Sequence, residues 1–314
     1  MPLGPKRKLV PHNLFHYNDP RAGSVPIANM VLDLQGNHPE HLWVEKVTGD
    51  IGNWRSKFRE AYIRWSLSIN GLLKSSEFYR TDEWKDPRRI FIVQSIRGAG
   101  TTEVITQWSG AEAANAHEDT VHMISAYGVM NLYGLLEEWV FETYRVYLSQ
   151  HPDNLLRGDE YKDLRRLRAQ YAADPASNQA EWQLKLEKRL DSWQRKRLYD
   201  GLGRVFKSLC ADAKLKTPSR YRLSTVDTWA ESITGLGLLR NALTHNVTVV
   251  SKELGDFCKM PYGLGLDFKE GEPLIVELRH LMLVDNFLDS LLTGFNLSIV
   301  ELVYGPLGKR LAKD

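Results

Sequence analysis

The sequence predicts a mainly α-helical protein with a smaller N-terminal region that mixes helix and strand. Two observations carry this prediction. After residue 110, apolar residues recur every three or four positions over long stretches, whereas the strand-like patterns lie before it. We therefore divide the chain into an α+β region of unknown role over residues 1–110 and a helical bundle domain over residues 111–314.

The first part of the N-terminal region predicts little regular structure. Residues 1 to about 30 contain five prolines, which indicates an irregular arm. Ala28–Leu34 is a short apolar stretch predicted to be a strand, and a turn follows at residues 36–39. From Asn53 to Leu73 the apolar residues have helical spacing. This helix is expected to place four basic residues on its outer side: Arg55, Lys57, Arg59 and Arg64.

A β-hairpin is predicted at the end of the N-terminal region. Arg89–Ile96 is rich in β-branched and aromatic residues, Thr101–Trp108 partly alternates, and glycines lie between them. The segment Gly98–Thr102 is not a phosphate-binding loop, because it lacks the required lysine and does not lead from a strand into a helix.

The bundle domain contains four long amphipathic patterns. They cover Asp119–Leu148, Ala180–Leu209, Thr225 to about Asn246, and Leu274–Tyr304. Ser224 or Thr225 is the expected N-cap of the third helix, and Gly305-Pro306 should end the fourth.

The overall composition is that of an ordinary globular protein. The formal net charge is +2, and the two cysteines are too few for a disulfide framework, so a cytoplasmic location without a membrane is expected. Basic charge is concentrated in residues 157–222, which hold 17 Lys or Arg against 9 Asp or Glu. An RNA-facing surface and a merely solvated helix face fit this pattern about equally well. The candidate RNA-binding residues are Lys188, Arg189, Arg195 and Lys196.

Two histidines resemble a zinc-protease helix only superficially. His117 and His122 are five residues apart instead of four, so they diverge by about 140° on a helix. A metal-dependent hydrolase using this pair is the weakest of the functional alternatives, and no metal or other cofactor is expected.

The strongest functional pattern is Arg240-Asn241-Ala242-Leu243-Thr244-His245. On a helical wheel, Leu236, Leu239 and Leu243 form an apolar arc, and Asn241 and His245 lie nearly opposite it. An arginine followed five or six positions later by a histidine also occurs at Arg7/His12 and Arg145/His151, but only at Arg240 does an asparagine follow the arginine on an amphipathic helix. The histidine is therefore predicted to point away from the core.

This pattern resembles the R-N-x-x-x-H motif of HEPN domains. These are helical bundles whose motif lies late in the domain, before a long final helix, and whose first long helix carries an acidic residue. Residues 115–306 are similar in their order, with Glu137 and Glu138 on the first long helix. We take Glu138 as the candidate acidic helper.

The resemblance implies a metal-independent endoribonuclease of a toxin or antiviral-defence system. It implies a homodimer that brings two motifs into one cleft, with Arg240 and His245 catalytic and Asn241 supporting them. The RNA 2′-hydroxyl is a built-in nucleophile. An imidazole can move its proton near neutral pH, and a guanidinium can bind phosphate oxygens. A partner protein that inhibits such an enzyme is a further expectation.

Many HEPN domains bind without catalysing. The alternative is therefore a non-enzymatic helical module that binds RNA or protein, in which Arg240 and His245 make only structural or interface contacts.

Overall fold

The computed structural model describes most of the chain. The described residues are 31–32, 34, 41–97, 100–222 and 224–306, with the backbone alone at residues 96, 97 and 101. Within them the protein is mainly helical with one small antiparallel sheet, as predicted. The predicted arm over residues 1–30 and the turn at residues 36–39 lie outside the described part.

Eight α-helices and two strands make up the described structure. The helices are α1 (Leu42–Tyr79), α2 (Gly110–Gln150), α3 (Lys162–Ala173), α4 (Pro175–Arg197), α5 (Leu202–Asp212), α6 (Val226–Thr244), α7 (Lys252–Lys259) and α8 (Leu278–Tyr304). The strands are β1 (Phe91–Arg97) and β2 (Thr101–Trp108). They form the predicted hairpin, which has a register irregularity between Val93 and Gln94.

The strand predicted at Ala28–Leu34 is wrong where the structure describes it. Val31, Leu32 and Leu34 form no strand. The Leu32 N–H donates to Thr48 Oγ1 at 3.0 Å, and the Leu34 N–H donates to the Glu45 carboxylate. Side chains of α1 therefore take the hydrogen bonds that a neighbouring strand would take.

Helix α1 begins eleven residues before its predicted start at Asn53. The additional turns contain Gly49 and Gly52 and several β-branched residues, all of which have low helix propensity. Burial of Trp43, Val44 and Ile51 outweighs this propensity, because each is almost fully removed from solvent.

Helix α1 packs along α2 and α8 and shares one hydrophobic core with the bundle. The predicted boundary at residue 110 stays a prediction, although the core extends across it. The expectation that Arg55 lies on the outer side is wrong. Its side chain is only 9% exposed and donates to Asp289 Oδ1 of α8 at 2.7 Å. Burial of an arginine requires such a carboxylate partner.

Helix α2 is the central element of the fold. It begins nine residues before the predicted start, at a capping box in which the Ser109 N–H donates to Glu112 Oε2 at 2.7 Å. Trp139 of α2 meets Phe206 of α5 and Phe295 of α8, with ring centroids 6.3 and 5.1 Å away. Helices α5 and α8 are thereby fixed to α2.

The helix predicted over Ala180–Leu209 is two helices. α4 ends at Arg197 and α5 begins at Leu202, with Gly201 between them at φ 81°. This left-handed conformation is readily available to glycine and interrupts the helical hydrogen bonds. Leu198, which was predicted to face inward, lies in the turn and is 49% exposed.

The last helix begins four residues after its predicted start. Leu274 instead donates its N–H to the Thr248 carbonyl at 2.9 Å, beside the isolated bridge between Val249 and Pro273. Within the described residues, α8 is the one helix long and apolar enough to cross a membrane. Half of its most apolar window is buried inside the protein, and core helices have the same composition.

Candidate active site

Helix α6 carries the candidate motif. It begins at the predicted N-cap Thr225, whose Oγ1 accepts a hydrogen bond from the Thr228 N–H at 3.1 Å. Leu236 and Leu239 are buried, as the apolar arc predicted, and Leu243 is half-buried. The core thus fixes the rotation of α6 about its axis.

The C-terminal end of α6 determines the position of His245. Asn246 adopts φ 52°, the Val247 N–H donates to the Ala242 carbonyl at 2.9 Å, and the Asn246 N–H donates to the Leu243 carbonyl at 3.2 Å. This is a Schellman motif with asparagine in the left-handed position. His245 is therefore the C-cap residue, held one turn after Asn241.

Replacing Asn246 by valine should destabilise the protein by about 1–2 kcal/mol, because a β-branched residue is strained at positive φ. Urea unfolding measures this change. Asn246→Gly is the matched control and should cost nothing, since glycine adopts this conformation freely. Equal stability of the two variants would contradict the Schellman geometry.

Arg240 is held by three neighbours. Its Nη2 lies 3.4 Å from Glu137 Oε2, its Nη1 donates to Asn241 Oδ1 at 3.0 Å, and its guanidinium carbon lies 5.2 Å from the ring centre of Tyr133. The Glu137 contact is long and partly exposed, so it is weak. A phosphate could replace this carboxylate at the guanidinium.

The ring of Tyr133 packs against the Arg240 guanidinium. It is buried where α6 approaches α2, and a Cβ added at Gly237 would lie 3.0 Å from its hydroxyl oxygen. Burial and the neighbouring Glu137 raise the pKa of Tyr133 to about 12, although Arg240 opposes this rise. The phenol is therefore neutral near pH 7 and offers its ring to the cation.

Asn241 and His245 are both exposed, as predicted. The structure gives the His245 ring no hydrogen bond or ion pair to any described residue. Thr244, between them, donates to the Arg240 carbonyl at 2.8 Å and lies 3.8 Å from the Met130 sulfur of α2. The exposed end of α6 therefore lies directly against α2.

Glu138, the predicted acidic helper, does not face Arg240. It lines a separate cavity of about 310 Å³ that also borders Phe141 and Arg145. Successive residues of a helix differ by about 100°, so only one of the two glutamates can face α6. That residue is Glu137, and the sequence prediction is corrected accordingly.

The four predicted RNA-binding residues do not form one surface. Lys188, Arg195 and Lys196 are exposed on α4. Arg189 instead donates its Nε–H to the Leu155 carbonyl at 2.8 Å and lies 4.2 Å from the Tyr161 ring centre. It follows Leu186 by three residues and so faces the packed side of α4.

Helix α4 also lies at some distance from the motif. Arg145 of α2 contacts Glu187 and Asp191 of α4. Arg145 follows Glu137 by eight residues, so the contact of α2 with α4 lies about 12 Å along the helix axis from its contact with Arg240.

The histidines of the metal alternative are separated. His117 stacks on Tyr79 with ring centroids 5.5 Å apart, and His122 Nδ1 lies 3.3 Å from the Val276 carbonyl oxygen. Among the described residues, no three His, Cys, Asp or Glu side chains are grouped as metal ligands would be.

Comparison with family models, with curated proteins and with solved structures gave no match for this chain. Functional inference therefore depends on the residues and the geometry described above. Sequence reasoning named Glu137 beside Glu138 but chose Glu138, and it missed Tyr133, which precedes Glu137 by four residues and so shares one face of α2 with it.

Proposed function

We propose that this protein is a metal-independent endoribonuclease whose site is formed by Arg240, Asn241 and His245. The observation that carries the proposal is the pairing of the anchored Arg240 with the exposed imidazole of His245, which lies at the end of α6 and has no hydrogen-bond partner among the described residues. The order of elements supports it, because the long helix α2 bears Glu137 and α8 follows the motif. This order resembles that of HEPN domains.

Cleavage needs no cofactor in this scheme. The RNA 2′-oxygen attacks the adjacent phosphorus while its proton passes to a base, and the bond from phosphorus to the 5′-oxygen breaks. The leaving 5′-oxygen takes up a proton, which leaves a 2′,3′-cyclic phosphate and a 5′-hydroxyl. His245 is the group in this site that can transfer protons. Arg240 binds the phosphate oxygens. The Asn241 amide orients the His245 ring or donates to a phosphate oxygen.

A second copy of the chain would complete the site. Two short segments are joined by the bridge between Val249 and Pro273, and alternate residues of each segment share one face. Three apolar residues on this face are exposed: Val247, Val249 and Ile275. Met123 and Tyr127, i,i+4 on α2, are exposed as well. The exposed valines that closely follow His245 favour a symmetric dimer that brings two motifs together.

Incubation with single-stranded RNA in EDTA should give cleavage products. Because no metal takes part in the proposed step, the rate should equal that in Mg²⁺ buffer. The products should carry 2′,3′-cyclic phosphate ends, which mass spectrometry identifies directly. Cleavage that EDTA abolishes, or products with 5′-phosphates, would refute the proposal.

One observation favours the non-catalytic alternative. The contact of Arg240 with Glu137 joins α6 to α2. A binding module could use this pair for structure alone. Intact RNA after incubation under every condition, together with RNA binding, would favour that function.

A further inference from the structure

A groove between α1 and α2 lies on the other side of α2 from helix α6. It encloses about 510 Å³ and is open to solvent. Its lining combines an aromatic ring, two cations and two polar side chains. The residues that carry the argument are Lys57, Arg64, Trp65, Ser68 and Asn131.

A hydrogen bond between the Trp65 and Asn131 side chains holds both in their orientations. The Trp65 Nε1–H donates to Asn131 Oδ1 at 3.0 Å. Because the indole nitrogen can only donate, this bond also fixes the orientation of the amide. The Asn131 amide nitrogen is therefore directed elsewhere, and it has no hydrogen-bond partner among the described residues. The groove thus contains an indole and a preoriented amide donor.

Charge in the groove suits a phosphate. Lys57 and Arg64 are two turns apart on α1 and share its groove side. Glu60 lies 3.2 Å from Arg64 Nη2, but both side chains are mostly exposed, so this pair is weak. Ser68 donates to the Arg64 carbonyl at 3.0 Å, which leaves its oxygen able to accept a hydrogen bond.

The groove is close to the candidate catalytic residues. Asn131 directly follows Met130, whose sulfur lies 3.8 Å from Thr244 beside His245. The groove and the motif therefore flank the exposed edge of α2, and about one helix diameter, roughly 10 Å, separates them. A single strand that crosses this edge would reach both.

We propose that the groove holds one base of a single-stranded RNA substrate, a subsite that rests on the proposed nuclease function. The base stacks on Trp65, a neighbouring phosphate contacts Arg64 and Lys57, and the Asn131 amide donates to a ring carbonyl. Stacking on aromatic residues beside cations is how proteins hold single strands. Because the Asn131 amide donates, it favours uracil or guanine, each of which has a carbonyl acceptor on its pairing edge. Adenine has no carbonyl there.

Binding is measured with catalysis removed. Fluorescence anisotropy compares fluorescein-labelled oligouridine and oligoadenosine of equal length on the His245→Ala protein. Oligouridine should bind roughly threefold to tenfold more tightly, as expected for one net hydrogen bond. Adding Trp65→Phe keeps a stacking face but removes the Nε1 donor. The ratio of the oligouridine affinity to the oligoadenosine affinity should then fall to about one. Without the indole donor, nothing keeps the Asn131 amide nitrogen directed into the groove.

The charge contribution has a matched control on the same helix. Arg64→Gln should lower the slope of log affinity against log salt by about 0.7, the value for one phosphate contact with a single strand. Lys74→Gln removes a similarly exposed cation that is also paired with a glutamate, Glu77 at 2.6 Å. It should leave the slope unchanged. Thermal unfolding confirms that each variant is folded.

The results separate the subsite from the nuclease function. Equal slopes for Arg64→Gln and Lys74→Gln, or a base ratio that Trp65→Phe leaves unchanged, would overturn the subsite even if the wild-type protein cuts RNA. The expected slope and ratio changes would establish the subsite even if the wild-type protein leaves RNA intact.

Discussion

Replacing His245 by alanine should slow cleavage of single-stranded RNA at least about 100-fold, the usual contribution of a positioned general acid or base. The unfolding temperature should not change, because the His245 ring is exposed and contacts no described polar group. Single-turnover cleavage at saturating protein measures the chemical step without the contribution of RNA binding. Sedimentation velocity should give the same oligomeric state for both proteins.

The matched control is the same substitution at a histidine outside the site. His117→Ala removes a ring that stacks on Tyr79 near the N-terminal end of α2, away from the motif contacts in the middle of that helix. It should leave the cleavage rate within about twofold of the wild type, well below the effect of a catalytic group. If His245→Ala cuts at the wild-type rate, the motif is not the active site. If His117→Ala is the inactive variant and EDTA also stops cleavage, the metal alternative is correct.

The helices that the sequence predicted share one property. Each has a single apolar stripe long enough for its period to stand out, as in α2, α6 and α8. Helices α3 and α7 were not predicted, because 12 and 8 residues hold too few repeats of that period. The turn after Arg197 was missed for the opposite reason. Leu198 and Leu202 continue the helical spacing, and only the backbone of Gly201 interrupts it.

The candidate site was predictable where a single helix determines it. The exposure of Asn241 and His245 follows from the apolar arc of α6 alone. The choice between Glu137 and Glu138 depends instead on how α6 packs against α2, which no period in either helix encodes. Arg55 and Arg189 were misplaced for the same reason. Their partners, Asp289 and the Leu155 carbonyl, are distant in sequence.

Close packing of α5 against the motif helix leads to the largest expected effect on stability. A Cβ at Gly203 of α5 would lie 2.1 Å from Thr234 Oγ1 and 2.5 Å from the Ala230 carbonyl oxygen of α6. The Thr234 hydroxyl already donates to that carbonyl at 2.9 Å. A backbone oxygen inside a helix cannot yield alone, so the two helices must separate. Gly203→Ala should therefore lower the free energy of unfolding by about 3 kcal/mol.

The same substitution at Gly71 should change the free energy of unfolding in the opposite direction. Gly71 lies in the interior of α1, and a Cβ there meets no heavy atom within 4 Å. Alanine should raise the free energy of unfolding by about 0.8 kcal/mol through helix propensity alone. Urea denaturation of both variants measures the two changes against a common reference. If Gly203→Ala leaves the free energy of unfolding unchanged or raises it as Gly71→Ala does, α5 does not approach α6 as closely as described, and the orientation of the motif helix must be revised.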